Sequence, residues 1–207
     1  MITLSSEQEA FFTKNGFLEL EGVFSPPECE GLLRAIHQTL QGRQGIEFVR
    51  GRDLWRETPP LKAVLVSKKM KNLGLALSRR PTVRLAFDQW FGPNFFLKAP
   101  EKIEGLFSIQ GLVLVAFLQL DPGVAQPPPK RSGLGLSPFP QKQGNILFTK
   151  PSLLLNWPQT THGLYCVGFC LPTSVYVQNP HDPAGICLRK LNYGYGDQLQ
   201  NETHPIL

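Results

Sequence analysis

Two hydrophobic patterns divide this chain. In its first part apolar residues recur at helical spacing. Leu32, Leu33, Ile36 and Leu40 follow Ser25-Pro26-Pro27-Glu28, where Ser25 caps, Pro26 takes the first turn and Glu28 completes a capping box. An earlier short helix starts at Ser5 or Ser6 and runs to about Lys14, with Phe11 and Phe12 on its buried side and Asn15-Gly16 as its stop. Phe17 to Val23 alternates apolar and acidic residues, as a half-buried strand does. A further helix is predicted over Leu61 to Leu77, weakened near its end by Gly74, and another opens at Pro81 and ends at Gly92-Pro93. Beyond residue 93 the pattern changes. Asn94 to Ala99, Leu106 to Leu120, Asn145 to Phe148, Ser152 to Trp157 and Leu164 to Gln178 are strand-like, rich in Phe, Val, Leu and Tyr between Pro, Gly and Asn. Helices first and strands after predict an α+β fold.

Length and composition narrow the class. The 207 residues suit one domain, with residues 1–92 as a helical layer and 93–207 as the β portion. Charged residues make up 18% of the chain against an ordinary ~25%, which argues against disorder. The net charge of +5 is scattered, so no nucleic-acid partner is expected. The longest apolar stretch, Gly111 to Leu120, is far below the ~20 residues of a membrane helix. Cys29, Cys166, Cys170 and Cys187 fit no zinc spacing, and the first residues carry no secretory run. The expectation is a cytoplasmic protein with reduced thiols.

Residues 121–144 hold six prolines and little apolar periodicity. This loop is expected to be a solvated excursion, dispensable for folding unless Leu134, Leu136 and Phe139 plug the mouth of the β portion. Pro127-Pro128-Pro129 could form a polyproline II segment for an adaptor role. Asn192-Tyr193-Gly194-Tyr195-Gly196-Asp197 reads as a tight turn, expected to pack back over the helical layer.

The run from Ser6 through Gly16-Phe17-Leu18 and Glu21-Gly22-Val23-Phe24-Ser25, followed by Glu28-Cys29, resembles the start of phytanoyl-CoA dioxygenase family proteins. Arg80-Pro81-Thr82 to Trp90-Phe91-Gly92-Pro93-Asn94 resembles the segment before that family's barrel. The resemblance covers about the first 95 residues. It implies a double-stranded β-helix, a jelly-roll or cupin-like barrel with the N-terminal helices on one side, whose mouth holds Fe(II) and 2-oxoglutarate.

The iron ligands that the resemblance calls for are missing from their places. His37, His162, His181 and His204 are followed two residues later by Thr39, Leu164, Pro183 and Ile206, so no His-x-Asp/Glu pair exists. The stretch Lys98 to Gln110, where that pair belongs, offers Glu101, Glu104 and Gln110 but no imidazole. Gly144 to Phe148 matches the strand before the distal histidine, yet Leu153, Leu154 and Leu155 occupy its slot, and His162 stands near where the keto-acid-binding arginine belongs. The expectation is a degenerate site: no catalytic residue, no metal, no cofactor, and a barrel that binds an unidentified small molecule or protein. The alternative is a working Fe(II)/2-oxoglutarate dioxygenase with displaced ligands, Glu104, His162 and His181, and Arg189 as keto-acid anchor. A third reading is an adaptor that works through the proline loop and the tail.

Overall fold

The computed structural model describes residues 3–93, 101–122, 139–155 and 163–207. Its N-terminal part follows local sequence chemistry. Ser5 caps helix α1 (Ser6–Asn15) through a capping box with Gln8, and Gly16, at φ 79°, provides the left-handed residue that ends it. Strand β1 (Phe17–Leu20) follows. Ser25 and Glu28 form the expected box at the head of α2 (Pro26–Gln41), which buries Cys29, Leu32 and Ile36. The expectation for α1 holds for Phe12 but not for Phe11, which is 45% exposed with its ring edge on Phe17.

Two expected helices are corrected. Leu61 to Leu77 is two helices, because α3 (Glu47–Arg50) and a 3-10 turn are followed by α4 (Pro59–Leu65) and α5 (Lys68–Ser78). Ser67 breaks the run by capping α5 through the Met70 N–H. The segment opened by Pro81 is not a helix but strand β2 (Arg84–Phe91), buried along its whole length. A bulge between Leu85 and Phe87 disturbs its period-two signal.

The remaining strands are β3 (Glu101–Lys102), β4 (Ile109–Gln119), β5 (Ile146–Thr149), β6 (Leu154–Leu155) and β7 (Leu164–Tyr176). They form a five-stranded sheet in the order β1-β5-β4-β7-β2 and a two-stranded sheet β3-β6. Every described pair is antiparallel. The strand expected at Asn94 to Ala99 lies outside the described residues.

Alternation along each strand splits the interior into two cores. Leu114, Ala116, Leu118, Ile146, Phe148, Tyr165, Val167 and Phe169 face the helices. Val115, Phe117, Leu147, Cys166 and Cys170 face the other way, into the barrel, with Phe87, Phe91, Phe107 and Leu155. This is the expected jelly roll with helices on one outer side. Helix α6 (Ile186–Lys190) follows β7.

The free edge of β2 is covered. Gly51, Asp53 and Gln89 link it to the segment after α3, while Leu85 N–H donates to Pro205 O and Leu207 N–H to Val83 O. The Tyr-Gly turn is a correction: it bonds to the end of β7, through Tyr176 and Asp197, and not to the helical layer. Further on, Leu207 does reach the helix-facing core.

Candidate binding site

The barrel core is aromatic. Phe87 and Phe107 stack at 3.8 Å, and Phe117 meets Phe139 edge-on at 5.1 Å. Gly168 makes room for Phe87: a Cβ there would stand 2.3 Å from the ring. Phe139 is 4% exposed, so the end of the 121–144 loop does bury a plug, against the expectation that the loop has little to bury. Residues 123–138, with Leu134, Leu136 and the Pro127–Pro129 run, lie outside the described residues.

One ion pair is set against these rings. The Arg52 guanidinium lies 4.3 Å from the centre of Phe107, with Phe87 at 5.3 Å and Phe48 at 5.4 Å. Its Nε donates to Gln89 Oε1 and its Nη2 to Asp182 Oδ1, both at 3.0 Å. Asp182 also accepts from the backbone N–H groups of Ser108, at 2.8 Å, and Ala184, at 3.0 Å. The pair is almost completely shielded from water. It is a closed polar unit whose carboxylate oxygens are already committed.

Behind Arg52 a pocket of about 280 Å³ opens to solvent between the end of α2, α3 with the turn after it, and α6. Arg43, Arg50, Arg52, Arg56 and Lys190 line it, with Asp53 and Glu57 as the acidic members. A second buried carboxyl lies on the helix side of β2. Asp88 Oδ2 accepts from Tyr165 OH and from the Trp55 N–H, while Oδ1 has no partner. Burial, and secondly the nearby Asp53, push its pKa up to about 7. His204 is the buried histidine among the described residues. Arg56 Nη2 meets its Nε2 at 3.1 Å, and an arginine only donates, so the ring is a neutral acceptor. Burial first, then Arg56 and Arg84, lower its pKa to about 3.

The four residues of the displaced-ligand arrangement are not drawn together as far as they are described. Glu104 and His181 are exposed on segments tied to each other by Asn179, whose amide donates to Gly105 O at 2.9 Å. Arg189 is exposed on α6 and donates to Tyr176 OH at 3.3 Å. His162 lies outside the described residues. His37 is an exposed helix residue with its ring edge on Trp90.

The fold has known counterparts. The chain is similar to the non-haem α-ketoglutarate dependent carbocyclase SnoK from nogalamycin biosynthesis, with 16% identity over 99% of this chain and 97% of that one and a TM-score of 0.73. The epimerase SnoN, described in complex with Fe3+, α-ketoglutarate and nogalamycin RO, shares 14% identity over 97% of each chain at a TM-score of 0.69. HygX from Streptomyces hygroscopicus, described with nickel and 2-oxoglutarate bound, shares 15% identity over 82% of this chain and 88% of its own at 0.56. These likenesses show the fold of non-haem iron, 2-oxoglutarate-dependent enzymes. No family model and no curated protein matches the sequence.

Among the described residues no group of three or more His, Cys, Asp or Glu side chains converges. Leu155, one of the three leucines that the resemblance sets in the slot of the distal imidazole, is fully buried in the barrel core. Asp182 is turned to Arg52. The aromatic packing, the Arg52–Asp182 pair and the basic pocket were not foreseen from the sequence. A signal was present only for the pocket, as Arg43, Arg50, Arg52 and Arg56 fall within one short stretch.

Proposed function

We propose that this protein is a barrel of the oxygenase fold that binds a ligand and does not run iron chemistry. The supporting observation is the inward face of the sheet, where Phe87, Phe107, Phe117 and Leu155 stand among other apolar groups. Octahedral iron needs imidazole and carboxylate donors on one face. An isobutyl or phenyl group gives it nothing, and outer-shell hydrogen bonds cannot replace a missing donor. The four free thiols suit a cytoplasmic location.

The test is anaerobic Fe(II) titration with 2-oxoglutarate, followed by ultraviolet–visible spectroscopy, together with elemental analysis of protein purified without chelators. The expected result is no charge-transfer band and far less than one iron per chain. Near-stoichiometric iron would overturn the reading. A second reading, the displaced-ligand dioxygenase, draws on the Asn179–Gly105 hydrogen bond that ties the Glu104 segment to the His181 segment. In that case Glu104→Ala and His162→Ala should each abolish iron binding.

A further inference from the structure

Charge in the pocket between α2, α3 and α6 is not balanced. Five cations and two carboxylates line it, and because Arg52 is neutralised by Asp182 an excess of two positive charges remains. Their hydrogen bonds do little to cancel it. Arg43 donates to the carbonyls of Arg50, Arg52 and Asp53, and Arg56 to Thr203 O and the neutral His204 ring, while the Arg56 charge is met by Asp53 at 3.5 Å. Carbonyls and a neutral imidazole satisfy N–H groups without neutralising a guanidinium. Arg43 does pair with Glu57 at 3.0 Å, but that carboxylate is 61% exposed. Two cations keep capacity to spare. Arg50 Nε is buried without a partner, and Lys190 takes part in no ion pair among the described residues.

The arrangement suits a negative guest. Guanidinium forks match carboxylate and phosphate oxygens in pairs, and a concave wall raises the local concentration of the opposite charge. The volume is just under the roughly 300–1,000 Å³ of ordinary ligand cavities, so the guest is small. Val49 and Leu191 add an apolar wall on which an organic body can rest.

We propose that this pocket binds a small organic anion with at least two negative charges, held by Arg50 and Lys190 in the field of Arg43 and Arg56. The site lies outside the barrel interior and is independent of the metal question, so iron titration and anion titration can fail separately.

The experiment is isothermal titration of the full chain with pyrophosphate and with citrate, at an ionic strength fixed by sodium chloride. Saturable one-site binding of at least one anion is expected. Binding of pyrophosphate alone assigns the guest to the phosphates, and binding of citrate alone to the polycarboxylates. Lys190→Glu should weaken binding by roughly tenfold, and Glu57→Gln, which removes a competing carboxylate, should tighten it severalfold. Both positions are exposed, so folding is not at stake. No saturable binding of either anion at millimolar concentrations would overturn the proposal, as would affinities that neither substitution moves.

Discussion

Replacing Asp88 by asparagine should turn a nearly flat dependence of stability on pH into a rising one. A free aspartate titrates near 3.8, whereas the buried Asp88 carboxyl keeps its proton up to about pH 7. Between those values the folded protein holds a proton that the unfolded chain has released. This contribution is therefore complete below pH ~4 and is lost as pH rises through about 7. The gap of some three pH units, at about 1.4 kcal/mol each, sets an upper limit of roughly 4 kcal/mol. His204 works in the opposite direction. Its folded pKa of about 3 lies below the ordinary 6.5, so its contribution is lost as pH falls from 6.5 towards 3. From pH 4 to 6.5 the two slopes cancel, and the wild type should be nearly flat there as far as these groups decide. The amide introduced by Asp88→Asn would keep the shape of the protonated acid, with its carbonyl accepting from Tyr165 and Trp55 as Oδ2 does now. The variant should therefore gain stability from pH 4 to 6.5. Relative to wild type it should improve by roughly 2–4 kcal/mol between pH 4 and pH 8. Urea unfolding followed by tryptophan fluorescence at half-unit pH steps measures this. Taking the difference across pH removes any constant cost of the amide, whose NH2 would occupy the unpartnered position of Oδ1. A variant-minus-wild-type difference that stays within about 0.5 kcal/mol over that range would refute the reasoning.

Two other substitutions probe the barrel core. Asp182→Ala leaves the nearly buried Arg52 without its counter-charge and should cost roughly 3–5 kcal/mol in urea unfolding, with partial recovery when Arg52→Met is added. A loss below 1 kcal/mol would show that the pair is solvated in solution. Phe139→Ala should cost about 3 kcal/mol by removing the plug against Phe117, whereas a neutral outcome in the same assay would return the whole 121–144 loop to solvent.

The sequence made the capped helices and the alternating strands legible because both signals are local. Ser5, Ser25 and Gly16 act on backbone groups a few residues away, and β1 shows one face to each environment. Strand β2 was not legible. It is buried on both faces, so alternation vanishes, and the bulge at Ala86 shifts what pattern remains. Ser67 was missed because the apolar period runs across it without changing phase. Of the barrel interior the sequence offered the leucines at 153–155, of which Leu155 is buried in its core. What else stands in the barrel depends on partners far apart in the chain: Arg52 and Asp182 are 130 positions apart, and the room for Phe87 depends on Gly168. No local pattern carries such pairs.

The covered edge of β2 has a kinetic side. Residues 205–207 complete hydrogen bonds to residues 83–85, across more than half of the chain. During synthesis the helices and β2 emerge early; residues 51–53 can cover the Asp88–Trp90 end of one edge at once, but the other edge must wait for β7 and the Arg84 end for residues 204–207. Contacts of such long sequence separation form slowly, and an unpaired strand edge is the surface on which chains stick to each other. The growing chain thus carries one whole edge of β2 and part of the other unpaired while the rest of the sheet is still being added. The segment that finally closes over it acts as a latch, set only after every strand of that sheet has been made.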